Sequence, residues 1–391
     1  METPRPAPWV ACVRVNRHDK AYFLHQLDGF ARKPLLVVWK DDRPPAERTA
    51  QAGGTAVMAT PWKRKLAVPG GHRIRQAWAW LRGAVMRAPL AAGRAETAAL
   101  MALARRHPPS VIYAHTGFMG LRLAPLAQRL GVPLVVHFHG LDITMTDPVY
   151  RRALRAGLSR FDRVMVVGAW MVDRLVDMGC DAGKIDVIPM GAVTGDVPPP
   201  PARRDGPAQF VAVGRLVGVK GLDWTIAAFA QVHGQRPATR LHLVGDGPLR
   251  GALAAQAADL GLGDAVVFHG QMAGEEALAR VAQSDVLVHH ALDDPGGPEA
   301  FGVVITEAMA RGLPVVGTRC GGLPDQIVDG ETGLLVDQND VDGMAEAMAR
   351  LADDPALRAA MGAAGRARAV KMFDAHVLAR RAEEVLGEVA G

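Results

Sequence analysis

The chain has 391 residues and a mass of 41.5 kDa, which is large for a single hydrophobic core and predicts two domains. An apolar content of 49% with 22% charged residues excludes a disordered or fibrous protein. The net charge of +5 conceals an uneven distribution, because residues 1–195 carry 28 Lys and Arg against 14 Asp and Glu, whereas residues 196–391 carry 17 against 26.

The first half alternates short apolar runs with helical patterns. The runs that predict strands are WVACVRV (9–15), KPLLVVWK (33–40), SVIYAH (110–115), VPLVVHFHG (132–140), DRVMVVG (162–168) and KIDVIPMG (184–191). Helical patterns over residues 22–30 and 169–178 fall between them. This alternation predicts an α/β domain with a doubly wound, parallel sheet.

A stiff linker follows, because four consecutive prolines at 198–201 fit neither a helix nor a central strand. The alternation then restarts, with strands predicted over residues 209–215, 239–247, 265–270, 285–290, 313–318 and 334–337 and a helical tail from Val341 to the end. We therefore predict two Rossmann-like domains facing a central cleft. The bounds are 1–195 for the first domain, 196–208 for the linker, 209–370 for the second domain, and 371–391 for a C-terminal helix that could cross back to the first domain.

The strongest chemical signal opens the second half, where a predicted strand ends in Gly214 and Arg215, and Lys220 follows just before a helix. Glycine lets a backbone approach a ligand, a helix N-terminus attracts anions, and the two side chains add positive charge. The pattern suits a diphosphate. A glycine turn with two solvated bases remains the alternative.

A second signal is a pair of carboxylates, Glu299 and Glu307, eight residues apart. If a helix begins near Gly302, Glu299 lies in the loop before it and Glu307 lies inside it. Glu299 and the N–H groups near Phe301 and Gly302 could then face one ligand. A solvated helix face is the alternative for an isolated pair of this kind.

With these residues in order, the chain resembles the retaining, nucleotide-sugar-dependent glycosyltransferases of family 4, which have the GT-B fold. The segments that carry the resemblance are HFHGLD (137–142), GRLVGVKG (214–221), VGDGPLR (244–250), VVFHGQM (266–272), PEAFGVVITEAMARGLPVVGT (298–318) and GGLPDQIVDGETGLLV (321–336). An ordered series of this length is not expected by chance.

The resemblance implies roles for the donor-site residues. Arg215 and Lys220, beside Gly214, would bind the donor diphosphate and neutralise the leaving nucleotide. Glu299 matches the glutamate that contacts the sugar hydroxyls, and Glu307 matches the one that holds the ribose. Phe301 and Gly302 would offer backbone N–H groups, and the strand end at Gly270 would border the base.

His139 matches the active-site histidine of the family, placed near the donor sugar and phosphate. His137 and His139 are two residues apart on a predicted strand, so both should point to one face. Only two metal ligands are visible there, and the polar loop at residues 289–294 lacks an Asp-x-Asp motif, so we expect no metal and no other cofactor. Asp142 either contacts a substrate or caps the next segment.

One loop departs from the family pattern. Many members have a Gly-Gly loop after the first strand, whereas this chain has Asn16, His18 and Lys20 there and no glycine. The loop matches the exopolysaccharide-type branch only loosely, and roles for Asn16 and His18 toward an acceptor or phosphate rest on that match.

The basic first half indicates an anionic partner. Residues 48–95 contain nine bases and no acid, and the segment 72–88 also carries tryptophans, so it could rest on an anionic membrane surface. An ordinary surface helix is the alternative. Nucleic-acid binding fits the charge alone, without a recognisable module, and is not expected.

The resemblance implies an enzyme that moves a sugar from a nucleotide-diphosphate sugar to a hydroxyl acceptor, which we expect to be a polyprenyl-diphosphate-linked saccharide in surface polysaccharide synthesis. The alternatives are a soluble small-molecule acceptor, or a catalytically silent nucleotide- or carbohydrate-binding protein. An NAD-dependent oxidoreductase also fits two Rossmann-like domains, but neither first strand is followed by G-x-G-x-x-G.

The same sequence predicts a cytoplasmic protein, peripheral on the inner face of the membrane if it docks there. Three widely spaced cysteines offer neither a disulfide framework nor a zinc site, which favours a reducing compartment. The first ten residues lack a secretory signal, and no apolar run reaches the roughly 20 residues of a membrane-spanning helix.

Overall fold

A computed structural model describes residues 8–15, 30–31, 34–41, 55–57, 92–195, 197–198, 206–293 and 297–391. The predicted helix over 22–30, the loop with Asn16, His18 and Lys20, and most of the basic stretch over 48–95 lie outside these residues, as does most of the proline linker. The remaining elements form two parallel sheets with helices on their faces.

The first sheet has seven parallel strands in the order β3-β2-β1-β4-β5-β6-β7. The strands are β1 (Trp9–Val15), β2 (Leu35–Asp41), β3 (Thr55–Val57), β4 (Ile112–His115), β5 (Leu134–Phe138), β6 (Arg163–Val166) and β7 (Ile185–Val187). Its helices are α1 (Arg94–Arg106), α2 (Gly117–Leu130), α3 (Leu141–Thr144), α4 (Pro148–Gly157) and α5 (Trp170–Asp177). The edge strand β3 was not among the strands predicted from the sequence.

The second sheet has six parallel strands in the order β10-β9-β8-β11-β12-β13. The strands are β8 (Gln209–Val213), β9 (Arg240–Val244), β10 (Val266–Gly270), β11 (Val286–His289), β12 (Val315–Thr318) and β13 (Gly333–Val336). Its helices are α6 (Leu222–Gln235), α7 (Arg250–Asp259), α8 (Gly274–Ala282), α9 (Val303–Ala310), α10 (Leu323–Gln326), α11 (Val341–Asp353) and α12 (Pro355–Met372). The predicted α/β class is therefore confirmed.

Central strands such as β5 and β11 are buried along their whole length, as expected where helices cover both faces of a parallel sheet. Strand β5 is shorter than the predicted run over 132–140, and it ends at Phe138. His139 therefore lies one residue beyond the strand, at its carboxyl end.

The C-terminal tail contains three helices, and the last of them begins at Ala375, close to the predicted start at 371. Helix α12 begins at Pro355, capped by Asp354, because a proline is tolerated in the first turn of a helix but not in its interior. Asp374 caps the last helix, α13 (Ala375–Ala390), and also accepts hydrogen bonds from the N–H and hydroxyl of Thr194 at 3.2 and 2.8 Å.

Helix α13 crosses back to the first sheet. Its buried residues Ala379, Ala382 and Leu386 pack with Val10 and Tyr113 from the strands β1 and β4. The other face of the same sheet is covered by α1, α2 and α5. The helix that ends the chain thus completes the core that the first strands begin.

The carboxyl ends of the two sheets meet where Gly140, after β5, approaches Ala300, after β11. A Cβ atom added to Gly140 would lie 2.5 Å from Cβ of Ala300. The indole nitrogen of Trp170 donates a hydrogen bond to the Ala300 carbonyl at 3.0 Å, and the N–H of Ala169 donates to Asp325 Oδ2 at 2.7 Å. The loops at these strand ends therefore face each other.

Candidate active site

The topology of each sheet selects one place for a ligand. In both sheets the strand order reverses beside the first strand, between β1 and β4 in one and between β8 and β11 in the other. Ligands of doubly wound sheets bind outside the carboxyl ends of the strands at such a switch point. The loops after β4, β8 and β11 lie at these switch points, and the loop after β5, the neighbour of β4, lies beside the first of them.

The loop after β8 is a tight turn that carries Lys220. Residues Gly218–Lys220 form one turn of 3-10 helix, and Gly221 then begins α6 in a left-handed conformation, with φ of 51°. A Cβ atom on Gly221 would lie 2.1 Å from the carbonyl oxygen of His290, so this position requires glycine. The Lys220 side chain folds against Gly214, whereas Arg215 is exposed on the same loop.

Lys220 and Glu299 are 79 residues apart in the chain and form an ion pair at the switch point of the second sheet. Their side chains are 17% and 15% exposed, respectively. The same Glu299 oxygen, Oε2, lies 3.2 Å from Nε2 of His289, the last residue of β11. Glu299 is thus held from two sides by residues at adjacent strand ends.

The surroundings determine the charge of this cluster. Burial by itself raises the pKa of Glu299, but the hydrogen bond with His289 and the positive charge of Lys220 outweigh it and hold that pKa well below its usual range. Burial, together with the charge of Lys220, lowers the pKa of His289. At neutral pH the cluster therefore contains a carboxylate, an ammonium group and a neutral imidazole.

The segment from Glu299 to Glu307 has the predicted arrangement, with Glu299 in a loop and Glu307 half-buried inside α9. Gly302 precedes the helix with φ of 81°, and a Cβ atom there would lie 3.6 Å from Cγ of Glu299. The Phe301 side chain is buried in the core of the first sheet, where its ring meets that of Phe373 edge-on. Phe301 therefore anchors this loop to the other half of the chain.

Three histidine rings gather at the carboxyl ends of β4 and β5. Nδ1 of His115 lies 3.1 Å from Nε2 of His139, so one of these rings donates a hydrogen bond to the other. Nδ1 of His137 lies 2.6 Å from the Tyr113 hydroxyl, and its Nε2 lies 2.9 Å from the Ile188 carbonyl oxygen. His115 was not among the predicted site residues, although its place at the end of a predicted strand was a usable signal.

Burial lowers the pKa of each of these histidines, to about 4 for His137, and their mutual repulsion lowers the pKa of His115 and His139 further. Each offers one ring nitrogen within 4.8 Å of the others, so the cluster has the composition of a metal site. Both nitrogens of His137 are already engaged, however, and a metal would have to displace Tyr113 or Ile188 from it. The expectation of a metal-free enzyme stays a prediction.

Asp142 is buried, and its carboxylate accepts three backbone hydrogen bonds. They come from the N–H groups of Gly117 at 2.8 Å, His139 at 3.0 Å and Gly140 at 3.0 Å. Burial nevertheless raises the pKa of Asp142 to about 6, against the opposing effect of these bonds. Asp142 does not cap the next segment as expected, because it lies inside α3, whose N-terminus has no side-chain cap. Contact of Asp142 with a substrate stays a prediction.

The described site residues fall into two groups that face each other. Gly214, Lys220, Glu299 and Gly302 lie in direct contact, and His139 stands on the opposite sheet, next to the Gly140–Ala300 approach. Gly270 ends β10, two strands away from β8, with φ of 73°, and its carbonyl accepts a hydrogen bond from the Gly245 N–H at 2.8 Å.

Comparison with known sequences agrees with this architecture. Residues 196–368 match the family profile "Glycosyl transferases group 1", and residues 20–191 match the profile "Glycosyl transferase 4-like domain". The chain is 36% identical over 259 residues to a GDP-mannose-dependent alpha-(1-6)-phosphatidylinositol monomannoside mannosyltransferase of Mycolicibacterium smegmatis, which covers 62% of this chain and 67% of that protein. It is 32% identical over 250 residues to a putative colanic acid biosynthesis glycosyltransferase, WcaL, of Escherichia coli, which covers 61% of this chain and 60% of that protein.

Solved structures share the fold over nearly the whole chain. Anabaena Alr3699/HepE in complex with UDP superposes with a TM-score of 0.76 at 20% identity, covering 97% of this chain and all of that one. A sucrose-phosphate synthase from Thermosynechococcus elongatus gives a TM-score of 0.74 at 22% identity, covering 97% and 98% of the two chains. At these identities the likeness concerns the fold.

Proposed function

Because this chain belongs to the family 4 glycosyltransferases, enzymes with the GT-B fold, we propose that it moves a sugar from a nucleotide-diphosphate sugar to a hydroxyl acceptor, with retention at the anomeric carbon. The observation that carries the proposal is the cluster of Lys220, Glu299 and Gly302 at the switch point of the second sheet. In this cluster, the ammonium group of Lys220 can bind phosphate, and the carboxylate of Glu299 can accept hydrogen bonds from sugar hydroxyls.

In the proposed complex the donor lies along the second sheet. Its diphosphate is bound by Arg215 and Lys220, which neutralise the charge that develops on the leaving nucleotide. Glu299 and the N–H groups of Phe301 and Gly302 bind the sugar, and Glu307 binds the ribose. The base borders the strand end at Gly270.

His139 contacts the donor from the first sheet in this proposal. The low pKa of its ring keeps it neutral, so that it acts as a hydrogen-bonding group toward the sugar or phosphate rather than as a cation. Asp142 holds the His139 peptide in place through the N–H of that residue, and so positions the group without touching the reacting atoms.

Two carboxylates at the facing loops are already engaged, which argues against a covalent intermediate, whereas retention itself is proposed from the family. Asp142 accepts three backbone hydrogen bonds, and Glu299 is paired with Lys220 and His289. Neither is available as a nucleophile in this arrangement. Catalysis would then rest on holding donor and acceptor on the same face of the sugar while cations stabilise the departing phosphate.

The acceptor is proposed from the relatives. One is named for a phosphatidylinositol mannoside, a lipid-borne saccharide, and another for colanic acid biosynthesis. Both names favour a lipid-linked saccharide over a soluble small molecule. None of the helices in the described part of the chain is long and apolar enough to cross a membrane. Because the first half carries an excess of bases, we propose that the enzyme meets the lipid acceptor as a peripheral protein on the cytoplasmic face of the membrane.

The donor is tested by incubating the protein with a panel of nucleotide sugars and detecting nucleotide release by mass spectrometry. We expect one donor to be consumed, with unchanged turnover in EDTA because the proposal needs no metal. The variant Lys220→Ala serves as the inactive control. Equal release from every donor, or none from any, would contradict the proposal.

Acceptor and stereochemistry need a second assay. The identified donor is offered with membrane lipid extract and, separately, with soluble sugars and inositol phosphates. We expect product in the lipid arm, with the anomeric configuration of the donor retained by proton NMR. Product only in the soluble arm would replace the lipid acceptor with the small-molecule alternative, and inversion would exclude the retaining mechanism.

A further inference from the structure

Lys220 has two roles to reconcile. The proposed function needs its ammonium group for the donor diphosphate, but in the structure that group is paired with Glu299. Glu299 in turn is the residue proposed to bind the donor sugar. In the ion pair, Glu299 therefore lies where the donor phosphate would contact Lys220. Lys220 in turn lies where the sugar hydroxyls would contact Glu299.

On the basis of the proposed function, we propose that Glu299 takes the place of the donor phosphate in the unloaded enzyme, and that His289 holds Glu299 in position when the phosphate draws Lys220 away. The pair is only 17% and 15% exposed, so either charge left without a partner would be poorly solvated. The ion pair satisfies both groups until the donor arrives.

His289 is suited to the positioning role. It is 5% exposed at the end of β11, a strand paired on both sides, so its ring cannot move far. Its low pKa keeps the ring neutral, and the Nε2–H group can donate to Oε2, the oxygen that Lys220 also contacts. When Lys220 leaves, this hydrogen bond is the one that remains on that oxygen.

Replacement of the Lys220–Glu299 ion pair by contacts with the ligand differs between a nucleotide sugar and a bare nucleotide. A donor sugar brings hydroxyl groups that replace Lys220 as hydrogen-bond donors to Glu299. A free nucleoside diphosphate also removes Lys220 but lacks the donor sugar, whose hydroxyls would reach Glu299, so it leaves the carboxylate beside added negative charge. The site should therefore bind the donor more tightly than the product nucleotide, which promotes product release.

Calorimetry with UDP and with GDP tests the first half of the proposal. Replacing Glu299 by glutamine removes the competitor for Lys220, so we expect Glu299→Gln to bind the preferred nucleotide roughly three- to tenfold more tightly than the wild type. The matched variant Glu307→Gln should bind it more weakly. Unchanged or weaker binding by Glu299→Gln overturns this inference but leaves the donor site intact; no binding of either nucleotide by the wild type overturns the proposed function itself.

A double-mutant cycle tests the part played by His289. Without His289 the carboxylate depends on Lys220 alone, so His289→Leu should lower nucleotide affinity about threefold or more. His289→Gln, which retains a donor, should recover most of it. The loss should vanish in the background of Glu299→Gln, because no carboxylate then needs support. Equal losses in both backgrounds, or no rescue by glutamine, would assign His289 a merely structural role.

Discussion

At the residue scale, the phosphate end of the site depends on positive charge. Arg215 is exposed and Lys220 is mostly buried, but both lie on the loop after β8, which is proposed to bind the phosphate of the leaving nucleotide. We expect Lys220→Ala and Arg215→Ala each to raise the barrier by about 2–4 kcal/mol while the fold survives. Steady-state kinetics with the identified donor measure this, and a kcat/KM near that of the wild type in either variant would remove that residue from the phosphate site.

The two glutamates should affect binding differently. Glu307 lies within α9 and is proposed to bind the ribose, so Glu307→Ala should weaken binding of the free nucleoside diphosphate. Glu299 lies before the helix and competes with the phosphate for Lys220, so Glu299→Ala should impair use of the donor sugar without weakening nucleotide binding. Calorimetry and kinetics on both variants separate the roles, and equal losses of nucleotide affinity would refute the division.

His137 should make stability depend on pH. Burial lowers its pKa to about 4, so below pH 6.5 the unfolded chain takes up a proton that the folded chain refuses until about pH 4. As the pH is lowered from 6.5 to about 4, the free energy of unfolding should therefore decrease by about 1.4 kcal/mol per pH unit because of this residue. Denaturant melts of the wild type and His137→Gln should differ in slope by that amount. Asp142, with its raised pKa, acts in the opposite direction in both proteins.

At the element scale, the turn between β8 and α6 needs glycine at one position and not at another. Gly221→Ala would force a positive φ on a residue with a Cβ atom and bring that atom against the His290 carbonyl. The control, Gly218→Ala, adds a Cβ atom with no neighbour within 4 Å. We expect Gly221→Ala to lose activity and about 1–3 kcal/mol of stability. Gly218→Ala should stay near the wild type, and equal effects of both would refute the argument.

At the scale of the whole molecule, charge is divided between the halves. The first half of the chain has an excess of bases. Within its described residues, helix α4 exposes Arg151, Arg152 and Arg155. A membrane-facing first half would place the lipid-linked acceptor next to the donor site on the second. The division between a basic first half and an acidic second half would thus orient the enzyme with its first half toward an anionic surface.

Vesicle sedimentation tests that orientation. We expect strong binding to anionic vesicles at low salt that fades as salt increases, with each base near the surface contributing about 1 kcal/mol. Reversing Arg75, Arg82 and Arg87 to Glu should release the protein and leave donor hydrolysis intact, because the donor site lies mainly on the second sheet. If the wild type fails to bind, a soluble, phosphorylated acceptor becomes the better explanation for the basic half.

Local patterns were sufficient for the architecture. Alternating apolar runs predicted the strands of both sheets, apart from β3, whose three residues are too few to give a clear pattern. Gly302 correctly predicted where α9 begins, because its left-handed conformation ends the preceding loop and the helix starts at the next residue. In the tail, the boundary at Pro355 was not predicted, because alanine-rich composition on both sides conceals it, whereas the last helix was predicted close to its observed start.

The sequence by itself therefore determined the two-sheet α/β fold, the family and the loops that carry Lys220, Glu299 and His139, because each depends on a few neighbouring residues. Only the tertiary structure decided that Lys220 pairs with Glu299, that His115 and His289 join these groups, and that Phe301 is buried in the core of the other half. These contacts depend on which strands lie side by side at the switch points, and strand order arises from packing of the whole chain rather than from any local pattern.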